Sequence, residues 1–220
     1  PESRGMGLHI REAKTPPKWG ADTVAVFRLD GDQTENLSAQ AKAGEKLADG
    51  RYLVASIQRA GNSPWHGNRS YVNLLTPGVT EKFLEVTLGA YEREIGQHFG
   101  KRVPGVFTDE PEIRPAGGLP WCDDLPQQFE KRWGYSLLEN LPSLTQPIGD
   151  WRKVRHNFFS TLNDLFIERW AKPYYEYCAQ RNLEFTGHYW EHEWPNALGV
   201  PDSMAMAAWQ QRPGIASLMN

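Results

Sequence analysis

The sequence predicts a mixed α/β fold built around parallel strands, and three observations carry that prediction. Short apolar runs rich in β-branched and aromatic residues alternate with longer stretches whose apolar residues recur at helical spacing. Two of the short runs, one reaching Asp109 and one reaching Gly187, stop at clusters of acidic and aromatic residues closed by a proline. Parallel α/β architectures gather their chemistry at such places, because loops and helix starts converge on the carboxyl ends of the strands.

The 220 residues are 40% hydrophobic with a formal net charge of -3. That is enough apolar content for one sizeable core, and it gives no electrostatic footprint for nucleic acid or an anionic membrane. No run approaches the roughly 20 apolar residues of a membrane-spanning helix. Cys122 and Cys178 lie far apart with no CxxC spacing, so neither a zinc knuckle nor a disulfide framework is implied. Aromatic residues are plentiful, with nine Trp, eight Tyr and nine Phe. Such rings fill cores, and they also floor sugar clefts, where the apolar face of a pyranose packs on the ring. The start at Pro1, with neither methionine nor signal sequence, reads as a processed product or an excerpt of a longer chain.

Taken in order, the elements begin with β texture from Asp22 to Arg59. VAVFRL (24–29) and RYLVASIQ (51–58) flank a polar stretch rich in Gly, Asp, Lys and Ala. This predicts an antiparallel hairpin or small sheet over 22–59, inserted on one side of the larger fold. GNSPWHGN (61–68) reads as a loop with Trp65 and His66 near its tip. Thr76 followed by Pro77 resembles a capped helix start. Phe83, Val86, Leu88, Tyr91 and Ile95 then recur at helical spacing up to Gly100, predicting one amphipathic helix of about five turns.

VPGVFTDEPE (103–112) is the most informative stretch. Val106 and Phe107 favour a strand, and the continuous apolar run predicts one covered on both faces. Pro111 ends it and, by restricting the residue before it, is expected to hold Glu110 extended. Asp109 and Glu110 then stand at the carboxyl end of the strand. A loop through Gly117, Gly118, Pro120 and Trp121 follows, and then a helix over Leu125–Trp133, stopped by Gly134. A long helical pattern runs from Trp151 to Arg181, with Val154, Phe158, Leu162, Leu165, Phe166 and Trp170 on one face. Pro173 is expected to kink or split it. LEFTG (183–187) is a second short strand, running into HYWEHEWP (188–195).

Two strand ends thus present carboxylates. Cleavage of a glycosidic bond needs such a pair, one carboxyl group to protonate the leaving oxygen and another to attack carbon or activate water. Neighbouring rings can line a sugar subsite and raise the pKa of an acid by desolvating it. The same segment also contains His188-x-x-Glu191-His192, the spacing of inverted zincin peptidases, in which two histidines on one helical turn bind zinc. That motif belongs within a long helix, whereas here it lies between a strand and Pro195.

TDEP (108–111) resembles the Asn-Glu-Pro signature of clan A glycoside hydrolases, in which the glutamate ending the fourth barrel strand is the general acid/base. YVNLLTPGVTEKFLEVT, PGVFTDEPE, FEKRWGYSLLENLP and FTGHYWEHEWPN together resemble a group of large bacterial glycosidase-like proteins with a (β/α)8 catalytic TIM barrel and appended β domains. The likeness runs from about Tyr71 to Asn220, and more weakly from Pro1.

The resemblance implies that Glu110 is the catalytic acid/base. Asp109 falls where the clan has asparagine, and an ionised aspartate cannot donate as that asparagine does. It is therefore expected to bind substrate with altered polarity. The clan's nucleophile, which ends the seventh strand, would fall beyond Asn220; Glu191 is the candidate second catalytic carboxylate within these residues. His188, Tyr189, Trp190 and His192 are expected to bind substrate. Residues 1–220 are then a single segment of an incomplete barrel, since about three or four strand-plus-helix units stand against the eight of a full barrel of about 250 residues. The function expected is hydrolysis of O-glycosidic bonds in an oligosaccharide or polysaccharide, with no cofactor and no metal. Other domains of a longer chain are expected as partners, and a periplasmic or extracellular setting follows from the resemblance. The alternatives are a carbohydrate-binding barrel without catalysis and, with less behind it, the zinc peptidase.

Overall fold

The computed structural model describes residues 3–190 and 196–216. In chain order the elements are β1 (Met6–Ala13), β2 (Thr23–Asp30), β3 (Gln33–Asn36), α1 (Ser38–Lys42), β4 (Arg51–Arg59), α2 (Val79–Val86), α3 (Leu88–Ile95), β5 (Gly105–Asp109), β6 (Leu119–Trp121), α4 (Leu125–Trp133), α5 (Leu141–Thr145), α6 (Trp151–Phe166), α7 (Lys172–Ala179), β7 (Glu184–His188), α8 (Ser203–Ala207) and β8 (Arg212–Pro213). The strands form an antiparallel sheet in the order β3-β2-β4-β1-β6 and a parallel sheet in the order β5-β7-β8. The class is mixed α/β, and no barrel closes among the described residues. Contacts gather into two compact units. One comprises Met6–Tyr71 with Ala116–Thr161, and the other holds the remaining described residues.

The antiparallel unit contains the hairpin expected over 22–59, with β2 paired to β3 and to β4. The sheet is larger than that hairpin. β1 pairs with β4 along its whole length, from Met6↔Arg59 to Ala13↔Tyr52. Leu119–Trp121, read in sequence as loop, is a strand paired with Met6–Leu8. A missing side chain permits this, since a Cβ on Gly7 would stand 2.1 Å from the Gly117 carbonyl oxygen. Val26 and Phe27 are both buried, as are Tyr52 through Ala55; residues that point to opposite faces are thus equally enclosed, and the centre of the sheet is covered on both sides. Leu37, Ala41 and Leu47 pack with Val26 and Tyr52 on one of them. α4 has the bounds expected, with Gly134 in the left-handed cap at φ 76°.

In the parallel unit the predicted five-turn helix is two helices. Thr87 (φ −99°, ψ −80°) separates α2 from α3, and its hydroxyl donates to the Phe83 carbonyl at 2.5 Å, competing with the helical ladder. The start also differs, at Val79 behind a left-handed Gly78 rather than at Thr76. The apolar face predicted from Trp151 onward is buried, and the interruption expected at Pro173 is a π-helical turn over Ile167–Ala171. Proline lacks an N–H and crowds the carbonyl four residues back, here that of Arg169. The Thr80 hydroxyl takes that carbonyl as its acceptor at 2.5 Å.

β5 and β7 run parallel in register from Gly105↔Glu184 to Asp109↔His188. One face of this sheet meets the helices, where buried Phe185 stacks on Tyr174 with ring centroids 4.3 Å apart. The other face is open, and Phe107 is 62% exposed. The expectation that β5 is covered on both faces is therefore corrected. Among the described residues β5 is an edge strand with helices on one side only.

Candidate active site

The parallel register brings the two predicted acid clusters together. Asp109 ends β5 and His188 ends β7, and the two are Cα partners. The approach needs Gly187, since a Cβ there would lie 2.0 Å from the Thr108 carbonyl oxygen, and the residue takes φ +131°. Just beyond, the Glu110 N–H donates to the His188 carbonyl at 3.1 Å and extends the ladder by one bond.

The side chains converge as well. His188 Nε2 lies 3.3 Å from Asp109 Oδ1, and His188 Nδ1 lies 3.9 Å from Glu110 Oε1. The Phe107 ring meets the imidazole edge-on at 5.6 Å. Exposure grades across the group: the Asp109 side chain is 77% exposed, that of Glu110 21% and that of His188 15%. A carboxylate open to solvent, a more sheltered one and an imidazole between them can hold a proton in a defined place. One ligating atom from each of these three residues can be chosen so that all lie within 4.8 Å of one another, a spacing that would also admit a cation.

Glu110 departs from expectation in its backbone. It has φ +52°, although a residue before proline is normally driven to extended geometry. Non-glycine residues in this region are strained and cluster at functional sites.

The remaining predicted residues separate. The Tyr189 ring is buried, edge-on to Phe166 at 5.8 Å, and burial pushes its hydroxyl pKa up; it faces the helix layer rather than the open side of the sheet. Trp190 is half-buried beside Gly199, where an added Cβ would stand 3.2 Å from its Cδ1. Glu191 and His192 lie outside the described residues, so only the first residue of the HxxEH motif can be located, and His188 ends a strand rather than sitting in a helix.

Sequence reasoning passed over Glu112. Its Oε2 accepts the Arg114 N–H at 2.6 Å and would be 3.7 Å from a Cβ on Gly199, while the Ile113 N–H donates to the Gly199 carbonyl at 2.9 Å. The acids on both sides of Pro111 in DEPE were the available signal. A groove of about 650 Å³ along α2, α3 and α7 contains none of these residues. Its Glu92 is held by Arg181 at 2.8 Å and Tyr177 at 3.0 Å, and that pairing keeps the carboxyl below its ordinary pKa. The groove is also lined by Glu81, Glu85 and Glu176 but by no histidine, whereas the strand ends bring two carboxylates to an imidazole.

With this geometry established, residues 64–216 match the family described as alpha-L-rhamnosidase, a span that includes both strand ends. The chain is also similar in fold to a solved structure of a rhamnosidase from Novosphingobium sp. PP1Y, with a TM-score of 0.57 and 23% identity. That likeness covers 84% of this chain and 19% of the other. The chain thus spans about a fifth of the length of the protein it matches. No curated protein matches it.

Proposed function

The chain belongs to the alpha-L-rhamnosidase family, a glycosidase family, and from that premise we propose that it supplies the acid/base half of a site that hydrolyses α-L-rhamnosidic bonds in an oligosaccharide or polysaccharide. The observation that carries the reading is the register of β5 and β7, which brings Asp109, Glu110 and His188 to one sheet end.

In this reading Glu110 protonates the leaving glycosidic oxygen. It is the more sheltered of the two carboxylates, as a proton donor should be, and its backbone bond to the β7 end fixes where its side chain begins. Asp109, whose side chain is 77% exposed, accepts hydrogen bonds from sugar hydroxyls. His188 orients both carboxylates. Trp190 offers ring surface to the sugar, and Tyr189 supports the end of β7 from the helix side. The second carboxylate is Glu191, or a nucleophile contributed by other parts of a longer protein, and His192 binds substrate. No step in this scheme needs a cofactor.

The parallel strands, helix-covered on one face and open on the other, support the further reading that β5, β7 and β8 are an arc of a (β/α)8 barrel. Phe107, Asp109 and His188 would then face its interior, and the rest of the barrel would come from a longer chain. Turnover of an aryl α-L-rhamnoside by the protein, in preference to other aryl glycosides, tests the proposal. Rhamnoside binding with no turnover, in a protein that also supplies the second carboxylate, would contradict it and favour a carbohydrate-binding barrel.

A further inference from the structure

Trp65 is 90% exposed, yet the turn that presents it is held by several local hydrogen bonds. Ser63 Oγ accepts the Trp65 N–H at 3.2 Å, Pro64 fixes the first position of a short 3-10 turn, and Gly67 closes it at φ 62°. Backbone N–H groups of His66 and Asn68 both donate to the Ser63 carbonyl, at 3.0 and 2.9 Å, and the Ser63 N–H donates to the Arg69 carbonyl at 3.0 Å. The His66 ring meets Tyr71 at 5.3 Å and ties down the inner side of the turn.

Single exposed apolar residues are ordinary on protein surfaces. A full indole held out on a pre-ordered turn is a different arrangement, because a binder that is already rigid loses little freedom when its ligand arrives. The flanking exposed residues are Asn62, Asn68 and Arg69, amide and guanidinium groups that can donate to hydroxyls. An exposed aromatic face with such donors on the same turn offers the chemistry that recognises a pyranose, whose apolar face packs on the ring while its edge hydroxyls are hydrogen-bonded. We propose that Trp65 is a sugar-stacking platform that binds a ring of a glycan, a role other than the catalysis proposed for Asp109, Glu110 and His188. The choice of a sugar as ligand rests on the rhamnosidase reading.

The test titrates the protein with a linear oligosaccharide bearing a terminal α-L-rhamnose, following the indole N–H resonances by NMR. The Trp65 resonance, identified by its loss in Trp65→Phe, is expected to shift on titration. Affinity should fall about tenfold in Trp65→Ala, the scale of one lost aromatic contact, and less in Trp65→Phe. Glu110→Gln should retain this binding while losing turnover, which separates the two readings. A Trp65 resonance unmoved at saturation, or unchanged affinity in Trp65→Ala, in a protein that still hydrolyses aryl rhamnosides overturns the platform and leaves the catalytic proposal standing.

Discussion

Glu110 has φ +52° directly before Pro111, a combination that local preference opposes from two sides, since side chains disfavour positive φ and proline disfavours anything but extended geometry before it. What holds it there is the bond from its N–H to the His188 carbonyl and the convergence of three side chains at the strand ends. Strain of this kind costs on the order of 1–2 kcal/mol, and glycine would relieve it. Glu110→Gly is therefore expected to be more stable than Glu110→Ala by about 1 kcal/mol in urea unfolding, the reverse of the usual order; a less stable glycine variant would contradict the strain. The sequence singled out Asp109 and Glu110 because they follow an apolar run, precede a proline and stand among motifs that resemble a glycosidase family; the two acids alone read equally well as solvated residues beginning a turn. It concealed the conformation of Glu110, because the pre-proline rule points the other way. It also concealed the pairing of His188 with Asp109, which depends on a register between strands distant in sequence, and no local signal encodes that.

Helix and strand boundaries followed the same logic one level up. α4 was readable because its extent and its closing glycine agree. The site of interruption in the long helix was readable from Pro173, but its form was not. The π-helical turn is accommodated by a donor from another element, with Thr80 at the start of α2 bonding the Arg169 carbonyl. Thr80→Val, which keeps shape and removes the hydroxyl, should cost about 1–2 kcal/mol of stability; an unperturbed unfolding midpoint would show that the bond does not support the turn. The break at Thr87 was hidden by apolar spacing that continues in phase across it. β6 escaped because Gly117, Gly118 and Pro120 look like loop residues. Gly118 acts instead by letting the two segments approach, since a Cβ there would stand 2.5 Å from the Leu8 carbonyl oxygen, as one on Gly7 would stand 2.1 Å from that of Gly117.

Across the whole molecule the α/β class was legible from alternating periodicity, whereas the division into two units was not, since each unit draws on segments from both halves of the chain. A shared chemical property marks the helix-covered side of the parallel unit. Burial pushes the Cys178 thiol from its ordinary 9 up to about 12, and raises the hydroxyls of Tyr174 and Tyr189 as well. The folded state then keeps protons that the unfolded chain releases above about pH 9, so this contribution is fully present below that pH and is lost as pH rises toward 12. Denaturation at a series of pH values should show stability level up to about pH 9 and falling beyond it, by about 1.4 kcal/mol per pH unit for each such group. A flat profile to pH 11 would contradict the burial of these three side chains. The central proposal, that Glu110 is the proton donor of a rhamnosidase site, rests on the strand register and on Glu110 being the more sheltered of the two carboxylates. The most direct test is turnover of a series of aryl α-L-rhamnosides of rising leaving-group pKa by the protein and by Glu110→Gln. An acid catalyst predicts a loss of about 10²-fold or more for poor leaving groups, shrinking as the leaving group needs less protonation. Unchanged turnover, or a loss independent of leaving group, would contradict it.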